Sequence, residues 1–196
     1  MPTGVALRDV REQLFDAAER ILLREGQNAL TSRAITAEAG VAKGVLHRHF
    51  ADFDTFLAEL VRDRIGRVEH QATALRESAG TGTVEGNLGD TLSTLFCSVA
   101  VAIVGLVTAR DSLRAMLRGS GVSGVPVLAE ATEMVAAYLR AERDLGRLAP
   151  DADVDTLAMM LIGTGHLLFA GLQPGTAPEA AEIRTVVRTL LTGVAE

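Results

Sequence analysis

Cysteine is almost absent from this chain: Cys97 stands alone among 196 residues, which excludes an internal disulfide and a cysteine-based zinc site. There is no tryptophan, one tyrosine and six phenylalanines, and no sustained alternation of apolar and polar residues. Strand signals are therefore missing, and the pattern predicts an all-α fold. Met1 to Leu7 lacks an apolar core long enough for a cleavable signal, so a cytoplasmic protein is the expectation. Nothing matches a phosphate loop, a dinucleotide fingerprint or a metal-ligand spacing. His47, His49, His70 and His166 are scattered, and Cys97 has no basic neighbour in sequence. Neither catalytic residues nor a cofactor or metal is expected, and the chain does not read as an enzyme.

Positive charge is scarce as well. The formal net charge is −6, which taken whole argues against a nucleic-acid partner. Its distribution changes the conclusion. Residues 1 to 50 carry seven Arg/Lys against six acids, and the remainder carries twelve against nineteen. A near-neutral head can bind a duplex if its cations share one face, while an acidic body is repelled from it.

What the chain does have is the stretch Thr31 to Phe50, TSRAITAEAGVAKGVLHRHF. Its periodicity predicts a helix from about Ser32 to Ala39, a break at Gly40 and a second helix from about Ala42 to Phe50. Thr31 suits an N-cap and Gly40 a left-handed helix end, the layout of a helix-turn-helix. Ile35, Ala39, Ala42, Leu46 and Phe50 fall on inward faces. Ser32, Arg33, Lys43, Gly44, His47 and Arg48 fall outward, where they suit phosphate oxygens and base edges.

The run I35-x-x-x-A39-G40-V41-A42-K43-G44-V45-L46-H47-R48-H49-F50 resembles the helix-turn-helix of the TetR family of transcriptional repressors. The likeness covers roughly residues 8 to 65. It implies an N-terminal three-helix DNA-binding head and a C-terminal helical domain for ligand binding and dimerisation. Two positions depart from the family pattern. His47 stands where a phosphate-contacting tyrosine is usual, and Phe53 where a phosphate-binding lysine commonly opens the next helix. The resemblance implies a DNA-binding domain over residues 8–51, with the motif at 31–50. An effector-binding and dimerisation domain would follow over 52–196, its first part, 52–76, being a linking helix.

Ahead of the motif, Val10, Leu14, Ala17, Ala18 and Ile21 predict a helix from about Arg8 to Glu25, stopped by Gly26. Arg8 and Arg11 at its start read as solvated charges, with contact to phosphate as the alternative. Behind the motif, Asp52 caps a helix whose stripe runs from Phe53 to about Arg76. Ser78 to Gly89, with four glycines, reads as a flexible connection. The nineteen uncharged residues between Asp90 and Arg110 reach transmembrane length, but no interface aromatics or flanking Lys/Arg cluster accompany them. They read as a helix buried in the body. Further helices are expected at about Ser112–Arg118, Pro126–Asp144 and Val154–Leu172, followed by one carrying Ile183, Val187 and Leu191.

The last two helices are too apolar to face water, and a second copy of the chain would cover them, with core packing within one chain as the alternative. Val154, Leu161, Ile183, Val187, Leu190 and Leu191 are the candidate dimer interface. Methionines and aromatics are adaptable enough to line an apolar cavity. Phe96, Cys97, Met116, Met134, Tyr138, Met159, His166 and Phe169 are the candidate effector pocket, with simple core packing as the alternative for each.

The resemblance then implies a homodimer that binds double-stranded DNA at a palindromic operator and releases it on binding a small apolar effector, with no membrane partner. Arg33, Lys43 and Arg48 would contact bases or phosphates, and Gly44 would let backbone approach the duplex. Val45 would meet a thymine methyl, and Thr31, Ser32, His47 and His49 would hold phosphates. The substitutions at His47 and Phe53 support a different reading, a carrier or sensor of apolar molecules whose head does not bind DNA specifically.

Overall fold

The computed structural model describes residues 5–97, 99–172 and 176–192 and is all-α, with no strand among them. The head begins with α1, Val5–Glu25, which Gly26 ends by taking φ 77°. A 3₁₀ turn, Gln27–Ala29, leads into α2, Ser32–Glu38, and α3, Val45–His49. Leu14, Ala17, Ala18 and Ile21 form the buried stripe of α1 and meet Ile35 of α2 and Leu46 of α3 in the head's core. Every fourth or third residue of α1 is thus removed from water, and this burial holds the two short helices in place.

The linking helix α4 runs Phe53–Glu77. The Asp52 carboxylate accepts from the Thr55 N–H at 2.6 Å, and this bond holds its pKa below the usual value. Four phenylalanines join α1, α3 and α4. Phe56 lies 5.5 Å from Phe15 and 4.9 Å from Phe50 between ring centroids, the latter edge-on, and Phe53 stacks on it at 6.0 Å. Arg11 is not a freely solvated charge, because α4 and the end of α3 close around it. Its guanidinium lies 4.4 Å from the Phe50 ring centroid, donates to the His49 carbonyl at 3.2 Å and pairs with Glu59. The side chain of Arg8 lies outside the described residues. One turn further along, the buried Arg64 of α4 pairs with Glu19 of α1, with Asp16, Asp63 and Arg67 around them. Burial raises the Glu19 carboxyl above its ordinary value against the pull of Arg64 and Arg67.

The body comprises α5 Val84–Phe96, α6 Ala100–Thr108, α7 Asp111–Gly119, α8 Leu128–Asp144, α9 Val154–Ala170 and α10 Ala180–Leu191. The flexible connection expected over Ser78 to Gly89 is shorter, because α5 starts at Val84. Thr83 caps it by accepting from the Gly86 N–H at 3.0 Å, and a Cβ on Gly86 would sit 2.8 Å from that Oγ1. The long apolar run is also not one helix: α5 and α6 are bent 54° apart across Cys97–Val99. No single described helix is long and apolar enough to cross a membrane, and this bent pair reaches the requirement only by length and composition.

Helix α8 packs against both α4 and α9. Its Glu142 is fully buried, and Oε2 accepts from the Gly80 N–H at 3.2 Å and lies 3.2 Å from Arg147 Nη1. Asn87 donates to the Tyr138 hydroxyl at 3.0 Å, and burial together with the neighbouring Glu142 carboxylate pushes the phenol above its ordinary range. The glycine-rich segment after α4 is thereby fastened to α8.

Since Phe56 is fully buried at the centre of the head's aromatic cluster, Phe56→Ala should lower unfolding free energy by about 3–5 kcal/mol in urea denaturation. A loss below about 1 kcal/mol, the size of an average substitution, would show that the cluster does not hold the head together.

Candidate nucleic-acid interface

The motif is built by local hydrogen bonds over a shared core. Thr31 Oγ1 accepts from the Ala34 N–H at 3.1 Å, and Thr36, itself buried, donates to the Ser32 carbonyl at 2.9 Å. Gly40 takes φ 67°, the left-handed conformation that ends α2, and the Val41 N–H then returns to the Thr36 carbonyl at 3.0 Å. The second helix is shorter than its periodicity suggests. Ala42, Lys43 and Gly44 belong to the turn, and α3 starts at Val45, whose N–H reaches the Ala42 carbonyl at 2.9 Å. Ala42 is accordingly exposed rather than inward, while Ile35, Leu46 and Phe50 are buried.

Thr31, Arg33, Lys43, Gly44, His47 and Arg48 are exposed, and Ser32, Val45 and His49 are half-buried. Gly44 has φ −83°, and a Cβ there would meet nothing within 4 Å. Neither backbone conformation nor packing within the chain calls for glycine at this position.

Charge divides the cations of the head into two groups. Arg11 pairs with Glu59, Arg20 with Glu38 at 2.7 Å, and Arg24 with Glu25 at 2.6 Å and Glu38 at 3.0 Å. Those bonds hold the Glu38 carboxyl below its ordinary value. Arg33, Lys43 and Arg48 have no ion-pair partner among the described residues, and His47 has none either. Among the described side chains of the head, the positive charge without an ion-pair partner therefore belongs to the motif. Phe53, where a cation would suit a phosphate, instead packs on Phe56 and carries the Arg110 guanidinium of the body 5.7 Å above its ring.

The effector-pocket candidates do not come together. A cavity of about 410 Å³ takes in Phe96, Cys97 and Phe169. Met134 and Tyr138 are buried in the core and Met116 stands on α7, half-buried against the core. Met159 is 60% exposed on the far side of α9. His166 lies 6.1 Å from Phe96 between ring centroids without lining the cavity; burial lowers its pKa, and its Nδ1 has no partner among the described residues. Sequence reasoning missed the other wall, Leu22, Leu23, Gly26 and Gln27, because these residues belong to the head and nothing in their spacing marks a void.

The dimer candidates are corrected in the same way. Val154, Leu161, Ile183, Val187 and Leu191 are all buried within one chain, and Leu190 is half-buried. Both sides of α9 are apolar, so its stripe could not reveal which side packs on its own chain. The side left open carries Met159, Met160 and Leu167, the last 75% exposed, with Gly163 between them and Ala170 a turn beyond.

The sequence profile described as "Bacterial regulatory proteins, tetR family" matches residues 14–60. An uncharacterized HTH-type transcriptional regulator of Haemophilus influenzae is 37% identical over 54 residues, which are 28% of this chain and 29% of that protein. The likeness thus spans under a third of that relative's length. Two solved structures share the fold over nearly the whole chain. A transcriptional regulator from Saccharomonospora viridis in complex with choline has TM-score 0.71 and 16% identity, covering 96% of this chain and 99% of that one. A TetR-family regulator from Mesorhizobium loti has TM-score 0.66 and 16% identity, covering 96% and 98%. Residues 14–60 thus carry the N-terminal domain of the tetR family of bacterial regulatory proteins, and the solved structures share the helical fold of the rest.

Proposed function

We propose that the protein is a ligand-responsive transcriptional repressor, which binds a palindromic operator as a homodimer and leaves it when a small apolar molecule binds the body. The observation that carries this reading is the division of charge in the head. Every described arginine outside the motif from Arg11 to Arg24 is neutralised by a carboxylate, while Arg33, Lys43 and Arg48 are bare and exposed. Such cations release counterions on meeting phosphate, and on a helix-turn-helix they do so at the edge of a major groove. Gly44 adds a place where backbone approaches without a side chain in the way. Arg33, Lys43 and Arg48 are assigned base or phosphate contacts, Val45 the thymine methyl, and Thr31, Ser32, His47 and His49 the phosphates that fix register.

A second copy covers the open side of α9. Met159, Met160 and Leu167 leave an apolar surface there that water solvates poorly, and the flanking α10 is packed on its inner side only. Two recognition helices joined through this face would address half-sites about 34–36 Å apart.

Selection of bound sequences from random duplexes should return a palindrome with that half-site spacing, and recovery of no preferred sequence would overturn the reading. Lys43→Ala should weaken operator binding and lower the slope of log K against log salt by about one, leaving the oligomeric state unchanged by sedimentation. Leu167→Glu should yield a folded monomer in the same sedimentation assay, since the side chain it replaces touches little of its own chain; a persisting dimer would move the interface elsewhere.

A further inference from the structure

The cavity described above lies between head and body. Leu22 and Leu23 of the last turn of α1, with Gly26 and Gln27, make one wall, and Phe96, Val101, Gly105 and Phe169 belong to the other. We propose that this seam is the effector site and that its ligand is an uncharged, largely apolar molecule with a single hydrogen-bond donor, which the head senses directly through Gln27. The inference rests on the regulator reading and specifies where its ligand acts.

Three observations support it. First, its volume of about 410 Å³ is that of a small-molecule site. Second, the described lining residues include no Asp, Glu, Lys, Arg or His. A carboxylate or a primary ammonium would find no opposite charge there to replace its hydration. Third, Gln27 Oε1 is buried and has no hydrogen-bond partner among the described residues. A buried acceptor left without a donor is costly, and a donor brought in by a ligand removes that cost.

The location also gives the ligand a short route to the DNA face. Gly26 takes φ 77° and ψ 179°, a backbone conformation essentially confined to glycine, and Gln27 follows it at once. Leu30, buried in the head core, and Thr31, the cap of α2, are the next fixed points. Only Asn28 and Ala29 separate the residue facing the ligand from them. A conformer in which Gln27 meets the ligand shifts the start of α2, and the ligand favours it by as much as its affinity differs between the two conformers.

The test uses the full chain and two probes, N-phenyl-1-naphthylamine, which is uncharged and has one N–H, and its N-methyl derivative, which has none. Cys97 is the chain's single cysteine, is exposed and lines the cavity, so its alkylation by N-ethylmaleimide, read by intact mass, reports occupancy. With the first probe at about ten times its Kd, alkylation should slow about ten-fold. By fluorescence titration the methylated probe should bind about five-fold more weakly, and Gln27→Leu should erase that difference. Ala102→Trp, which fills the cavity, should remove both probes. Unprotected Cys97 at saturating probe, or equal affinities for the two probes in the unsubstituted chain, overturns the proposal. A parallel DNA selection without probe separates the two readings. DNA bound with Cys97 unprotected rejects the seam alone, whereas protection with no DNA preference rejects the regulator and leaves the ligand site in place.

Discussion

A helix of five residues has no stability of its own in water, because nucleation costs more than one turn of hydrogen bonds returns. Helix α3 is such a helix, and it persists because Leu46 and Phe50 are inserted into a core assembled by its neighbours. Phe50 meets Phe56 edge-on and lies 5.7 Å from Phe15, with Arg11 over its other side. The residues that would read DNA therefore stand on a segment whose shape is imposed from beneath by α1 and α4. Whatever moves those two helices moves the reading surface with them.

Electrostatics reinforces that dependence. The buried Arg64 lies among Glu19, Asp16 and Asp63, so α1 and α4 are joined by charge as well as by apolar packing. An ion pair withdrawn from water strongly penalises removal of one partner, and it fixes register more than it adds stability. Elsewhere on the head the acids serve Arg20 and Arg24 on the side of α1 and the end of α2. Glu25 and Glu38 are thus taken up by Arg20 and Arg24, and Arg33, Lys43 and Arg48 of the motif are left for an outside anion.

The head was legible in the sequence because its signals are local: Thr31 and Asp52 cap their helices, Gly26 and Gly40 end theirs, and the buried stripe of α1 follows helical spacing. The start of α3 was not, since Ala42 and Lys43 are good helix formers and only the turn's geometry excludes them. The break between α5 and α6 carries no proline or glycine to mark it in the sequence, and α6 packs against the 3₁₀ turn and α7, which lie far from it or after it in the chain. The body's surfaces were the least legible. Apolar side chains on α9 face both the core and the outside, and methionine content says what can fill a space without saying where space is left.

The buried Glu142 carboxylate gives α4 a fixed far end. By holding the Gly80 N–H it fastens the segment just beyond Glu77 to α8, so a rotation of the 25-residue helix about that point would produce a displacement that grows toward Phe53. At about 1.5 Å per residue its length is roughly 37 Å. A swing of about 5° then carries the opposite end by roughly 3 Å, close to the rise of one base pair. In the dimer proposed above, angular changes too small to disturb the body's packing would be enough to put the two arms out of step with a double helix.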